Sequence, residues 1–426
     1  MLNKKVALVC VDNVGKVMAG PGIRYFEMAK VLSKHFDVTL LAPNECDLKS
    51  DSFKIKTYDS KSASKSIARQ LSGIDVVIAQ TLRPPLLNFL RKNKIRFITD
   101  LYDPLTVETL EQIKYDSKKI QKNTFNFIHF MQAIQMECAD HILCASEKQR
   151  DLYTGMLFGT KSISPELYKD NPDFTHIFSV VPFGLSNKEP QFSDQEMIYI
   201  KFPTLKPTDK VIFWGGGIWN WFDPLSVIKA IEKISKTRND IKMVFLGVKH
   251  PNPKIKQMAV AKKTLDYCTE HDLINKLVFF NHDWTPYNDR VNYLLQASIG
   301  ISTHFDNLET RFSFRTRILD YLWANLPMIV TEGDSMADFV REKNLGKVVR
   351  YENIDDISQG IIDVLDKKDF YAKNVKEAKN IFYWDNTLKD LISVIKEEKY
   401  FNRKRSMINF IHLSWNYYLT SHRYGR

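Results

Sequence analysis

The sequence predicts an α/β protein made of two doubly wound parallel sheets. Short runs rich in Val, Ile, Leu and Phe at 6–11, 38–41, 75–79, 96–99, 141–145 and 177–181 alternate with amphipathic stretches such as 25–34. The runs are continuous rather than alternating, as expected of parallel strands buried on both faces. The rhythm breaks over 186–210, a polar stretch with Asn187, Glu189, Pro190, Pro203 and Pro207. It restarts at 211–214, 242–246, 277–280, 299–302, 328–330 and 347–349. A glycine-rich loop follows the first run of each half, which completes the pattern of repeated βαβ units.

Length supports this division, because 426 residues correspond to two or three domains at roughly 150 residues each. The expected organisation is an N-terminal domain over 1–190, a linker over 191–208, a second domain over 209–385 and a C-terminal helix with a basic aromatic tail over 386–426. A hydrophobic fraction of 44% with 26% charged residues excludes global disorder and a multi-span membrane protein. No stretch approaches the run of about 18 apolar residues that a spanning helix needs. The early apolar run is cut by Asp12 and Asn13, so it reads as a buried strand rather than a signal peptide.

Five cysteines, an odd number with no C-x-x-C pair, argue against a zinc site or a disulfide framework and suit a reducing cytoplasm. Lys plus Arg total 61 against 50 Asp plus Glu, a net charge of +11, which favours an anionic partner. The surplus is local. Residues 399–426 carry Lys399, Arg403, Lys404, Arg405, Arg423 and Arg426 with no acid, among Phe410, Trp415, Tyr417 and Tyr418. Such a segment either docks as a helix with a solvated basic face or lies on an anionic membrane. The chain has no nucleic-acid recognition motif, and a surplus concentrated in one tail gives no general nucleic-acid surface.

The first glycine loop is Met18-Ala-Gly-Pro-Gly-Ile-Arg24. Gly20 and Gly22 permit close backbone approach, the following helix directs amide groups at the loop, and Arg24 adds a cation in the first turn. This is either a phosphate site or a tight strand–helix turn. Tyr25 occupies the third position of G-x-G-x-x-G, and no Walker A sequence occurs, so dinucleotide and P-loop chemistry both lose support. The second loop, Trp214-Gly-Gly-Gly-Ile-Trp-Asn-Trp-Phe-Asp-Pro224, places Gly215, Gly216 and Gly217 before a good N-cap, Asp223, and a proline suited to the first helical turn. Trp214, Trp219 and Trp221 beside it are expected to wall a pocket or to fill core.

A third constellation runs from Ser302 to Pro327. His304, Glu309, Arg311, Arg315 and Arg317 gather where a helix begins. Cations there oppose the helix dipole, which makes sense if guanidinium groups hold a phosphate. Asp320, about one turn after Arg317, is placed to accept ribose hydroxyls. Trp284, in Asn281-His-Asp-Trp-Thr-Pro-Tyr287, is a candidate to stack on a nucleobase; the same stretch also reads as an N-cap region.

With these segments in view, the chain resembles the retaining GT-B glycosyltransferases of family four, the group 1 set. The resemblance rests on both glycine loops, Cys144-Ala-Ser-Glu-Lys-Gln-Arg150, Val181-Pro-Phe-Gly184 and Leu319-Asp-Tyr-Leu-Trp-Ala-Asn-Leu-Pro-Met328. It implies two Rossmann-like doubly wound domains facing across a cleft. The nucleotide-sugar would bind in the second domain and the acceptor mainly in the first. Asp320 would take the place of the family's ribose-binding Glu, and Gly215–Gly217 would face the diphosphate. The chain departs from the family pattern in three places. Phe312 stands where the first of two paired glutamates is usual, with Glu309 three residues earlier. Trp219-Asn-Trp221 replaces an Arg and Lys, and Arg315 and Arg317 would supply that charge. Asp103 or Asp100 is the nearest match to the family's active-site His.

The resemblance implies retention by front-face attack without a protein nucleophile, a metal or a cofactor, and no D-x-D pair occurs in the sequence. Asp103 or Asp100 would orient the acceptor or stabilise the sugar cation, unless they serve as loop hydrogen-bond groups before Pro104. The expected acceptor is a glycan, glycolipid or cell-envelope polymer, and the expected location is cytoplasmic and peripheral on the inner membrane face. Two other readings stay open: a non-catalytic sugar-nucleotide-binding partner of a glycan assembly complex, and a GT-B sugar-nucleotide epimerase.

Overall fold

The computed structural model describes residues 4–248, 257–283, 285–286, 288–397 and 406–424. The chain forms two units, Met1–Gly184 with Trp384–Arg426, and Leu185–Tyr383.

In unit 1 the strands are β1 (Lys5–Val9), β2 (Asp37–Ala42), β3 (Lys54–Thr57), β4 (Val76–Ala79), β5 (Arg96–Asp100), β6 (His141–Cys144) and β7 (Phe178–Val180). They lie in the order β3-β2-β1-β4-β5-β6-β7, all parallel. Six coincide with apolar runs in the sequence. β3 does not, because Lys54-Ile-Lys-Thr57 is a largely exposed edge strand. Its lysines suit an edge that must not pair further, so there is no apolar run to read. Leu41, Val77, Phe97, Ile134, Ile142 and Tyr153 belong to the core around this sheet.

The 105–137 stretch folds as two helices, Leu105–Ile113 and Lys118–Cys138, the second capped by the Ser117 side chain. The helix Met407–Ser421 lies against Lys118–Cys138. Asn409 Nδ2 donates to Glu137 Oε2 at 2.9 Å and to the Thr160 carbonyl at 3.0 Å. The Phe127 ring meets those of Tyr417 and Tyr424 at 5.5 and 4.6 Å. The helix Lys389–Lys396 is also fixed to unit 1, since Lys4 Nζ donates to the Ile395 and Glu397 carbonyls at 2.7 Å each.

Unit 2 contains β8 (Lys210–Trp214), β9 (Ile241–Phe245), β10 (Val278–Phe280), β11 (Ile299–Ser302), β12 (Met328–Thr331) and β13 (Gly346–Val349). Their order is β10-β9-β8-β11-β12-β13, again all parallel, and each lies on an expected run. The stretch 191–208, expected as a linker, is held on this unit. The Ser193 and Asp194 N–H groups donate to Asn292 Oδ1 at 2.9 and 3.0 Å, and Phe202 packs on Phe279 with ring centroids 5.5 Å apart. The division between units falls earlier, after Gly184. A Cβ at Gly184 would meet the Trp384 ring at 2.4 Å, so glycine permits the close approach of the two stretches of unit 1 next to the division.

Among the described residues no helix is long and apolar enough to cross a membrane. Among the described residues no disulfide joins the five cysteines.

Candidate functional site

In unit 2 the chain leaves β8 toward β9 on one side and reaches β11 on the other, so the sheet reverses its winding between β8 and β11. Crevices outside the carboxyl ends of strands at such a point are where open α/β sheets bind ligands. Gly215–Gly217 and the stretch after Ser302 both emerge there. A short antiparallel bridge, Phe222 to His304, ties them, and Phe305 N–H donates to the Trp221 carbonyl at 3.1 Å. Gly216 has φ +114°, a conformation open to glycine and strained for other residues. Asp223 accepts from Ser226 N–H at 3.1 Å and starts the helix Pro224–Ser235, as its sequence position implies.

Tyr321 is the hub beneath this loop, and sequence reasoning does not single it out. Its hydroxyl accepts from Gly215 N–H at 3.0 Å and has the Ile301 carbonyl at 2.8 Å and the Phe213 carbonyl at 3.1 Å as acceptors. A Cβ at Gly300 would meet the Tyr321 ring at 2.4 Å. The missing side chain in β11 is what lets this buried ring reach both strand ends. The available signal is a lone glycine inside an apolar strand run, which marks close approach of another group.

Arg317, the first residue of the helix Arg317–Trp323, is nine-tenths buried behind the glycine loop. One Nη donates to the Gly217 carbonyl at 2.9 Å, while the other is buried without a hydrogen-bond partner. The guanidinium lies 3.8 Å from the Phe222 ring centroid and 4.7 Å from that of Trp214. Burial, aided by nearby Arg315, pushes its pKa down to about 10, so it stays protonated at neutral pH. No carboxylate pairs with it among the described residues.

Arg315 differs from Arg317 in this respect. It makes a bidentate pair with Glu309, both contacts 2.8 Å, and its Nε lies 3.4 Å from Asp334 Oδ2. His304 Nε2 is 3.0 Å from the same Asp334 oxygen, and its other ring nitrogen is 3.3 Å from Thr310 Oγ1. All five groups are buried. Burial, followed by Arg315, lowers the His304 pKa despite the opposing pull of Asp334. Asp334 also caps the helix Ser335–Lys343. Sequence reasoning misses it because its strand–cap–helix setting reads as purely structural.

The remaining candidates are more dispersed. Trp214 and Trp221 are core residues. Trp219 lies half-buried and parallel to Trp221, with centroids 5.3 Å apart, so of the three tryptophans only Trp219 keeps appreciable exposure. Asp320 is half-buried and paired with Arg290 at 3.1 Å. Arg311 is exposed. Trp284 lies outside the described residues.

In unit 1 the first helix is Gly20–Leu32, so both glycines of the first loop fall in its first turn. A Cβ at Gly22 would meet the Asn13 carbonyl oxygen at 2.2 Å, which makes the tight turn a sufficient reason for that glycine. Arg24, expected as a phosphate-binding cation, is fully buried. It binds Asp100 through two contacts, 2.8 and 2.7 Å, and donates to the Val181 and Pro182 carbonyls at 2.9 and 3.1 Å. Its charge is therefore neutralised within the fold, and Asp100 is engaged with it. Asp103 is partly accessible. Burial raises its carboxyl pKa to about 7, with Asp100 adding to the rise and Tyr102 and Arg24 opposing it.

Comparison with solved structures identifies the fold. A sucrose-phosphate synthase from Thermosynechococcus elongatus superposes with a TM-score of 0.65 at 11% identity, over 92% of this chain and 98% of that one. WaaG, a glycosyltransferase involved in lipopolysaccharide biosynthesis, matches with a TM-score of 0.61 at 12% identity, over 92% and 99%. Anabaena HepE in complex with UDP-glucose matches with a TM-score of 0.61 at 10% identity, over 91% and 98%. The chain has the GT-B fold of two Rossmann-like units. No family model and no curated protein matches it.

Proposed function

We propose that the protein is a metal-independent, retaining glycosyltransferase that takes a sugar from a nucleotide-sugar held by unit 2. The observation that carries this reading is the buried Arg317 guanidinium. It has no carboxylate partner among the described residues and lies behind a glycine loop at the reversal point of the sheet. Burying a cation without a counter-ion is costly, and a diphosphate at this loop would offset that cost. Transfer places developing charge on the leaving diphosphate, and preorganised donors at that position lower the barrier. The nucleotide-sugar bound in the HepE structure supports the same kind of donor here.

The other residues take roles around Arg317. Gly216 and Gly217 let the backbone approach the diphosphate, with Gly215 anchored through Tyr321. Trp219, the partly exposed tryptophan beside the glycine loop, stacks on the nucleoside. Asp320 serves the ribose after release from Arg290. His304, Glu309 and Arg315 set the sugar-side wall, stiffened by Asp334. In unit 1, Asp103 orients the acceptor hydroxyl, with a carboxyl that titrates near neutral pH. Asp100 holds Arg24 and acts through position rather than contact. Front-face attack, with the donor phosphate receiving the acceptor proton, requires no protein nucleophile.

Thermal-shift measurements with nucleoside diphosphates and nucleotide-sugars test the donor, because a ligand of the folded state stabilises it by mass action. One nucleotide series should raise Tm in the native chain and leave Arg317→Ala unmoved. The absence of a shift with every donor would overturn the reading. Binding without hydrolysis or transfer would favour the non-catalytic partner, and product formed without any acceptor would favour the epimerase.

The acceptor is proposed to be a glycan or glycolipid at the inner membrane face. The outward face of Met407–Ser421 supports this. Ile408 and Trp415 are 82% and 64% exposed, and Ile411, Tyr418 and Leu419 share their stripe. Cations at 399–405 precede it in sequence and Arg423 follows it, which suits an anionic interface. The protein should sediment with vesicles containing phosphatidylglycerol. Ile411→Ser with Trp415→Ser should weaken vesicle affinity about a hundredfold or more, since each buried apolar side chain contributes about 1.5–3 kcal/mol. Equal sedimentation of the variant would refute membrane contact by this helix.

A further inference from the structure

Unit 1 contains a cavity of about 300 Å³ that the donor chemistry does not use. It lies beyond the carboxyl ends of β1 and β4, where the first sheet reverses its winding, with Val9 and Leu82 among its walls. Phe127 and Met131 of the helix Lys118–Cys138 and Tyr417 of the helix Met407–Ser421 complete it. The size is at the lower end of ligand pockets, about 300–1,000 Å³.

Its chemistry is selective. Among the described residues no carboxylate or carboxamide lines it, and its polar side chains are a few hydroxyls and the Arg83 guanidinium. Arg83 is exposed at the rim and makes no ion pair among the described residues. It lines the same cavity as Tyr58 and Tyr417, and its charge lowers the pKa of both hydroxyls against the larger upward effect of burial. A half-open cleft, more apolar than polar and with the Arg83 cation in its lining, fits an alkyl chain that ends in an anionic group. The helix that supplies Tyr417 to the wall carries an exposed apolar stripe, Ile408, Ile411 and Trp415, on its other face.

The geometry points to a binding site for an anionic amphiphile, with the chain in the cavity and the phosphate or carboxylate on Arg83. Resting on the transferase reading above, this site holds the lipid end of the acceptor and selects acceptors that carry a charged lipid. Dodecyl phosphate below its micellar concentration is the probe, with dodecanol and inorganic phosphate as comparisons, all titrated into the full chain calorimetrically. Dodecyl phosphate should bind saturably and about tenfold more tightly than dodecanol, a difference of one charge-assisted contact. Inorganic phosphate should show no binding. Arg83→Gln should remove the difference between the two amphiphiles. Ala63→Phe, which fills the cleft, should weaken both about tenfold or more, while uridine diphosphate binding in unit 2 stays unchanged and reports a folded chain. Unchanged amphiphile binding in both variants, or phosphate binding as tight as dodecyl phosphate, would overturn the proposal. Amphiphile binding without any nucleotide binding would refute the donor assignment and support this site independently.

Discussion

Replacing Arg317 with methionine is expected to raise the melting temperature of the ligand-free protein while sharply weakening its response to nucleotides. Both effects have one cause. The guanidinium has one buried nitrogen with no partner, and the hydrogen bond it does make goes to the Gly217 carbonyl. Contacts with Phe222 and Trp214 return part of the desolvation cost, about 1–2 kcal/mol. Removing a partnerless buried charge and filling its volume with an apolar chain should stabilise the fold by about 1–3 kcal/mol. The same change removes the cation that a diphosphate would meet. A charge-assisted hydrogen bond contributes about 1.5–3 kcal/mol, so affinity should fall by roughly one to two orders of magnitude. Calorimetric unfolding without ligand and nucleotide titration of the same variant measure the two signs. An Arg317→Met variant less stable than the native chain would show that this arginine is a structural cation.

Arg24→Met is expected to act in the opposite way and to be among the most destabilising single changes in unit 1. Arg24 and Asp100 are both fully buried and bidentately paired. Arg24 also joins the first helix to the carbonyls of Val181 and Pro182, just past β7. Its removal leaves the Asp100 carboxylate buried and uncompensated, a cost of about 3–5 kcal/mol. Asp100→Leu should cost a similar amount. The double variant should lose much less than the sum, because neither charge then remains alone. Chemical denaturation of the four proteins gives the coupling. Additive losses would show that the pair is not a unit.

The two arginines also show how far the sequence can be read. Arg24 and Arg317 look alike there, each near a glycine loop or a helix start. One is neutralised by an aspartate 76 positions away and the other is not. Partnership over that separation depends on tertiary packing, which local spacing does not encode. The doubly wound sheets are legible because strands buried on both faces must be continuously apolar. The edge strand β3 and the attachment of 191–208 to unit 2 are not, since neither carries that signature. In the candidate site, the glycine loop and the cluster from His304 to Arg317 are legible from residue type. Tyr321 and Asp334 are not, because a tyrosine in an apolar helix and an aspartate at a helix start have ordinary structural explanations.

Unit 1 draws on segments either side of unit 2, which lies wholly between them. During synthesis the ribosome therefore completes all of unit 2 before it has made the helix that packs on Lys118–Cys138. Until then the first sheet waits with the Phe127 side of that helix uncovered. Contacts that close only after so long an interval are slow to form and leave apolar surface open to misassembly. A helix made after the whole second unit is thus the one that finishes the first.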